Sequence, residues 1–272
     1  MGTRHLRGGA HRTDPRVTEL MTALTTALHV PATATLLDAW EGALAAEPAH
    51  PALHVLEAMC DENDRDLGDR SPGELNRLLL QARALLFGGA CDAIADCPRC
   101  SAALEATIPL DTWTSAAPPP RPVRETTVGD LRVTYRVPTC SDLAGLTHQP
   151  VDDAAEQLLA RCVTSIRAGE RDLALSELAA EAVRGIDEVI SEADADALIN
   201  VKLVCPECGD TVGLQMDPAS FLWDELDRWA LSVLCEVAEL ASIFGWSEQT
   251  ILSMSPWRRR TYLAIAQPGR RS

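Results

Sequence analysis

NVKLVCPECGDTVGLQMD, residues 200–217, holds two cysteines two residues apart, a proline after the first, a glycine after the second, then alternating apolar positions. Residues 92–111 read DAIADCPRCSAALEATIPLD, nearly the same phrase. Both turns are C-P-x-C, formed by Cys97-Pro98-Arg99-Cys100 and Cys205-Pro206-Glu207-Cys208. Two intervening residues bend the chain so that both thiolates face one ion, while turn amides donate to the sulfurs. Proline sets φ at the first corner, and a glycine after the second cysteine accepts left-handed backbone. Gly209 meets that demand; Ser101 is a weaker substitute. Two such turns supply four thiolates, the donor set of a closed, tetrahedral, structural Zn²⁺ site.

Each turn runs into a segment that alternates like a strand. Leu104, Ala106, Ile108 and Leu110 share one face after the first turn, and Val212, Leu214 and Met216 share one after the second. A knuckle leading into a strand, twice, is the zinc-ribbon scheme, here split by the 104 residues from 101 to 204. One Zn²⁺ per chain, held by Cys97, Cys100, Cys205 and Cys208, therefore acts as a clasp between distant segments, with no coordination position open for catalysis. Three other readings of these cysteines stay open: unligated core thiols, a redox C-x-x-C and an iron–sulfur cluster. The redox reading lacks a thioredoxin-like βαβ context.

The remaining cysteines have different settings. Cys60, Cys162 and Cys235 lie in helical patterns and are expected in cores. Cys91 falls outside knuckle spacing, and Cys140 stands at an expected strand-to-helix junction. His50 and His54 are spaced i, i+4, without a third ligand in view.

The chain has 272 residues, enough for one or two domains with a sizeable core. Its 40 acidic residues against 24 basic give a net charge of −16, which repels phosphate backbones and makes nucleic acid an unfavoured main partner. Positive charge gathers at the ends, in MGTRHLRGGAHR and in WRRRTY with GRRS. No secretory leader and no apolar run of about eighteen residues is visible, so a cytoplasmic protein without a membrane segment is expected. Nine cysteines in a reducing compartment are then not disulfides. No glycine-rich phosphate loop, G-x-S-x-G or H-E-x-x-H occurs, so an enzyme reading has no motif behind it.

The patterning predicts an α+β protein, mainly helical, with the split zinc ribbon and its short antiparallel strands joining the two halves. Residues 1–16 read as a disordered basic tail and 17–90 as a helical region, with helices expected near 17–29, from Ala34, and from Ser71-Pro72 onward. Knuckle 1 occupies 91–110, a proline-rich linker 111–125, an inserted strand and helix region 126–200, and knuckle 2 residues 201–216. Within the insertion, TTVGDLRVTYRVP alternates as a hairpin, and the segments after it read as helices. The C-terminal helical region, 217–267, begins with Asp217-Pro218 and carries Leu222, Leu226, Trp229, Val233, Val237, Leu240 and Phe244 at helical spacing up to Gly245. Ser255-Pro256 then opens a helix bearing Arg258, Arg259 and Arg260. Trp223, Trp229, Trp246 and Trp257 make this region aromatic, as cores or partner anchors are. The four tryptophans and three arginines are the candidate partner-binding residues. A helix-turn-helix reading of the same segment is the competing alternative.

LLDAWE, ALLFGGACDAIADCPRCSAALEATIPLD, LRVTYRVPTCSDLAGL, LVCPECGDTVGLQMDPASFLWDELDRWA and VAELASIFGWSEQTILSMSPWRRRTYL occur in this order. Together they resemble T4-type phage baseplate hub assembly proteins, a chaperone-like family, and in particular zinc-bearing members from contractile injection system (phage tail-like) gene clusters. The resemblance covers roughly residues 34–266. It implies a non-enzymatic assembly or structural role at a baseplate hub, with hub or tube components as protein partners. The alternative from the residues is a zinc-ribbon regulator that binds nucleic acid through its arginine-rich C-terminal helices.

Overall fold

The computed structural model describes residues 28–45, 51–114 and 123–266. Three helices come first: α1 (Thr33–Ala45), α2 (Ala52–Met59) and α3 (Pro72–Phe87). A hairpin of β1 (Ala90–Asp96) and β2 (Ala103–Pro109) follows, then the short α4 (Asp111–Thr114). The intervening segment contains β3 (Arg124–Val128), β4 (Leu131–Tyr135), α5 (Cys140–Ala144), α6 (Val151–Cys162), β5 (Val163–Ala168), β6 (Arg171–Leu173) and α7 (Ala180–Ala193). A second hairpin, β7 (Ile199–Val204) with β8 (Thr211–Met216), leads into α8 (Pro218–Phe244), α9 (Glu248–Leu252) and α10 (Pro256–Ala266). Among the described residues every strand pairing is antiparallel, in two isolated hairpins and one four-stranded sheet, β3-β4-β5-β6. The class is α+β, as the patterning predicts.

Local chemistry explains where the long helices start and stop. Ser71 accepts from the Glu74 amide and Glu74 accepts from the Ser71 amide, a reciprocal cap with Pro72 in the first turn of α3. Asp217 accepts from the Ala219 amide to start α8, and Gly245, at φ 69°, ends it after 27 residues. One face of α8 then buries Leu222, Leu226, Ala230, Val233 and Leu240 against α1, α2 and α3. This forms the largest core.

α3 faces two ways. Leu79 and Ala82 join the helical core, whereas Leu80 packs with Cys91, Ile108, Leu110, Ile199 and Met216 from both hairpins. Arg83 fastens the junction. Its buried guanidinium makes a two-pronged pair with Glu225 of α8, at 3.0 and 2.8 Å, and donates to the Gly88 and Ala90 carbonyls.

The intervening segment has its own core, in which Val133, Tyr135, Ile166, Leu159, Ile186 and Ile190 are buried together. It docks on the start of α3. Asp194 accepts from the Ser71 hydroxyl at 2.7 Å and the Gly73 amide at 2.9 Å, placing a carboxylate at a helix N-terminus. Asn76 donates to the Asp196 and Ala197 carbonyls, and Arg77 pairs with Asp196. Gly73 permits this approach, since a Cβ there would meet Asp194 Oδ1 at 2.3 Å.

Several expectations change. The stretch directly after α6 is not helical: VTSIRA and RDL form β5 and β6, joined across Gly169 at φ 62° and completing the sheet, and helix resumes at α7. β-Branched Val163, Thr164 and Ile166 at the start of that stretch explain the outcome. Of the helix expected near 17–29, residues 17–27 lie outside the described residues; Leu28 forms an isolated antiparallel bridge with Cys60. The expected tail 1–16 and His50 also lie outside them, as does most of the linker. Cys60 and Cys162 are buried, but Cys235 is exposed on α8, two residues from both Val233 and Val237 and so on the face opposite the buried stripe. Among the described residues no helix is long and apolar enough to cross a membrane.

Candidate metal centre

Each C-P-x-C turn is the tip of a hairpin. β1 and β2 pair up to Asp96 and Ala103; β7 and β8 pair up to Val204 and Thr211. The two tips repeat one set of hydrogen bonds. Ser101 N–H donates to the Cys97 carbonyl at 2.8 Å and Gly209 N–H to the Cys205 carbonyl at 2.9 Å. Cys97 N–H donates to Ala102 and Cys205 N–H to Asp210, at 2.9 and 2.8 Å. The residue after each second cysteine is left-handed, with Ser101 at φ 59° and Gly209 at φ 71°. Ser101 therefore takes up the conformation for which glycine is the better residue.

The tips meet. The Sγ atoms of Cys97, Cys100, Cys205 and Cys208 all lie within 4.8 Å of one another. Across the two hairpins, Cys97 and Cys208 are 3.7 Å apart and Cys100 and Cys205 3.6 Å. A tetrahedron with Zn–S bonds of about 2.3 Å has S–S edges of about 3.8 Å, so these spacings suit one ion. The four cysteines could hold a metal ion. Cys97 and Cys205 are buried with Leu104 and Val212, while Cys100 is exposed and Cys208 half-buried.

Hydrogen bonding divides the thiols. The Cys100 amide, then the Arg99 amide, pulls the Cys97 thiol down to about 7. At Cys208 the Asp210 amide acts in the same direction, but desolvation and the three neighbouring sulfurs outweigh it, pushing that thiol up to about 12. One thiolate forms readily here and a full set is opposed, unless a cation offsets the repulsion. Cys91 stays outside the cluster, buried among Leu80 and Ile108 with its thiol pushed up by desolvation. Burial is the first cause that pushes the Cys60, Cys140 and Cys162 thiols up to about 11, which disfavours the thiolate at each. Cys140 heads α5 behind the Thr139 cap, the expected strand-to-helix junction.

The candidate partner-binding residues do not form one surface. Trp223, Trp229 and Trp246 pack partly buried against the helical core. Trp246 stacks on Phe244 at 4.5 Å and meets Tyr262 edge-on at 4.9 Å. Trp257, 76% exposed on α10, is the outward one. Arg258 and Arg260 are exposed, with Arg258 lying 5.8 Å over the Tyr262 ring. Arg259 is a correction: it is 1% exposed and cannot face a partner. Its Nε donates to Glu236 at 3.0 Å and its Nη1 to the Met254 carbonyl at 2.9 Å, tying α10 to α8. Sequence reasoning missed Arg83, whose place in the apolar run LLLQARALLF was the available sign. It also missed Asp194, whose partner is 123 residues away.

The fold and cluster together describe a mixed α/β body in which two hairpins bring four thiols to one point. The model of the family described as T4 bacteriophage base plate protein matches residues 49–223, more than half of the chain, and the chain belongs to that family. The match takes in both cysteine pairs and ends within α8. No curated protein and no solved structure matches the chain.

Proposed function

We propose that this chain is a non-enzymatic structural or assembly protein, chaperone-like, of the baseplate hub of a contractile phage tail-like injection system. One structural Zn²⁺, held by Cys97, Cys100, Cys205 and Cys208, stabilises it. The observation that carries the reading is that the baseplate-family match encloses both cysteine pairs, so the four-thiol cluster belongs to the baseplate-related part. Four sulfurs on one ion leave no vacant position for a bound water, which favours a structural over a catalytic metal. Partners are expected to be hub or tube proteins.

Co-expression with the hub and tube proteins of its own gene cluster tests this role. Recovery of a hub or tube component with the tagged chain, and one zinc per chain by elemental analysis, supports it. Salt-sensitive DNA binding lost on combined Arg258→Ala and Arg260→Ala would instead favour the nucleic-acid regulator. The burial of Arg259 within an ion pair already removes one of the three cations that regulator would use.

A further inference from the structure

We propose that copies of this chain associate head to tail, with Trp257 of one copy seated in an acidic-rimmed apolar cleft between α6 and α7 of the next. This goes beyond the baseplate and zinc readings and does not depend on either.

The donor side is α10. Trp257 is 76% exposed and Ile265, two turns further on, is 65% exposed, so the outer face of this helix presents apolar surface. Arg258 and Arg260 flank the indole, both exposed, and Arg260 approaches its nearest carboxylate, Glu236, only to 4.0 Å. An apolar knob with a cationic border is thus held out on a helix fixed from behind by the Arg259–Glu236 pair. Tryptophan and arginine are the residues that most often dominate protein interfaces.

The acceptor side is a half-open cleft of about 490 Å³, roomy enough for an aromatic side chain. Leu158, Leu159 and Ile190 line it, with Leu198, 63% exposed, at its edge. Asp187 and Glu192 stand exposed on its border, and among the described residues no arginine or lysine lines it. Apolar knob and apolar cleft therefore carry opposite charge at their rims, on a chain whose net charge of −16 otherwise opposes self-contact. The exposure of Trp257 means that the two surfaces are not joined within one copy. Joining them between copies uses different patches on each side, a heterologous contact that closes into rings or extends as arrays.

Sedimentation velocity of the full chain over a concentration range tests this. The expected result is a mass that climbs above 29.3 kDa with concentration and falls back as salt is added. Trp257→Ala should weaken association about 30-fold. Arg258→Glu with Arg260→Glu should leave a monomer, as should Asp187→Arg with Glu192→Arg, each keeping the parent's circular dichroism. Mixing those two charge-reversed proteins should restore association, because each then offers a complementary surface to the other. A chain that stays monomeric at every concentration overturns the proposal. So does association that Trp257→Ala leaves at the parent's strength, or a mixture that stays monomeric. Displacement of a hub protein by Trp257→Ala from an otherwise monomeric chain would give the knob a different occupant and overturn it as well.

Discussion

Single residues decide how well each knuckle forms. Ser101 and Gly209 occupy the same left-handed position, and only one of them is glycine. Relief of the steric cost for serine is partly offset by the greater chain entropy of glycine, so Ser101→Gly should raise stability by up to about 1 kcal/mol in denaturant melts. Gly209→Ala should lower it by about 1 kcal/mol. A similar argument applies to Arg259, which shares Glu236 inside the α8–α10 junction. Arg259→Ala leaves a poorly solvated carboxylate with only the exposed Arg260, 4.0 Å away, to offset it and should cost about 3 kcal/mol by chemical denaturation, while Arg260→Ala stays within about 0.5 kcal/mol. Arg259→Met with Glu236→Leu should recover most of the loss, which separates an orphaned charge from lost packing. The sequence shows three arginines in a row and hides which one turns inward, because that depends on where α8 lies.

At the scale of elements, capping was legible and long-range pairing was not. Ser71-Pro72, Asp217-Pro218 and Gly245 are local signals, read from side-chain chemistry alone, and they bound the two helices that build the core. β5 gains its partner from β4, about thirty residues earlier in the chain, β6 pairs with β5, and a short run such as RDL carries no period of its own. Of the strands leading into the knuckles, β1 is built mostly of small residues and carries a weak signal, whereas β7 alternates Ile199, Val201 and Leu203 with Asn200 and Lys202 and was legible, as β2 and β8 were. α5 offers a pH test. Asp142 receives two prongs of the Arg136 guanidinium together with the Thr139 amide and hydroxyl, which hold its carboxyl far below the usual range. A depressed carboxylate contributes in full above its unfolded value of 3.8, and the contribution is lost as pH falls below it. Thermal midpoints should therefore drop more steeply below about pH 4 in the parent than in Asp142→Asn, which starts lower and changes less.

Over the whole molecule, α3 joins two cores and receives the intervening segment at its start, and the four-thiol cluster closes that segment beside the packing of both hairpins around Leu80. A second polar closure is the Asp194 contact with Ser71 and Gly73. A cross-link that closes a loop of about 100 residues is worth roughly 5 kcal/mol by chain entropy alone. Because Asp194 already draws that loop shut, chelating the metal proposed for the four thiols should cost less than this. Chelation combined with Asp194→Ala should cost more than the two separate losses added together, a coupling readable from denaturant midpoints. The repeated C-P-x-C phrase announced that the hairpin tips meet, whereas the second closure rests on an aspartate with no motif around it. X-ray absorption at the zinc edge of the purified protein tests the central claim most directly: four sulfur neighbours at about 2.3 Å are expected. A shell containing nitrogen or oxygen donors, or no stoichiometric zinc to measure, would contradict it.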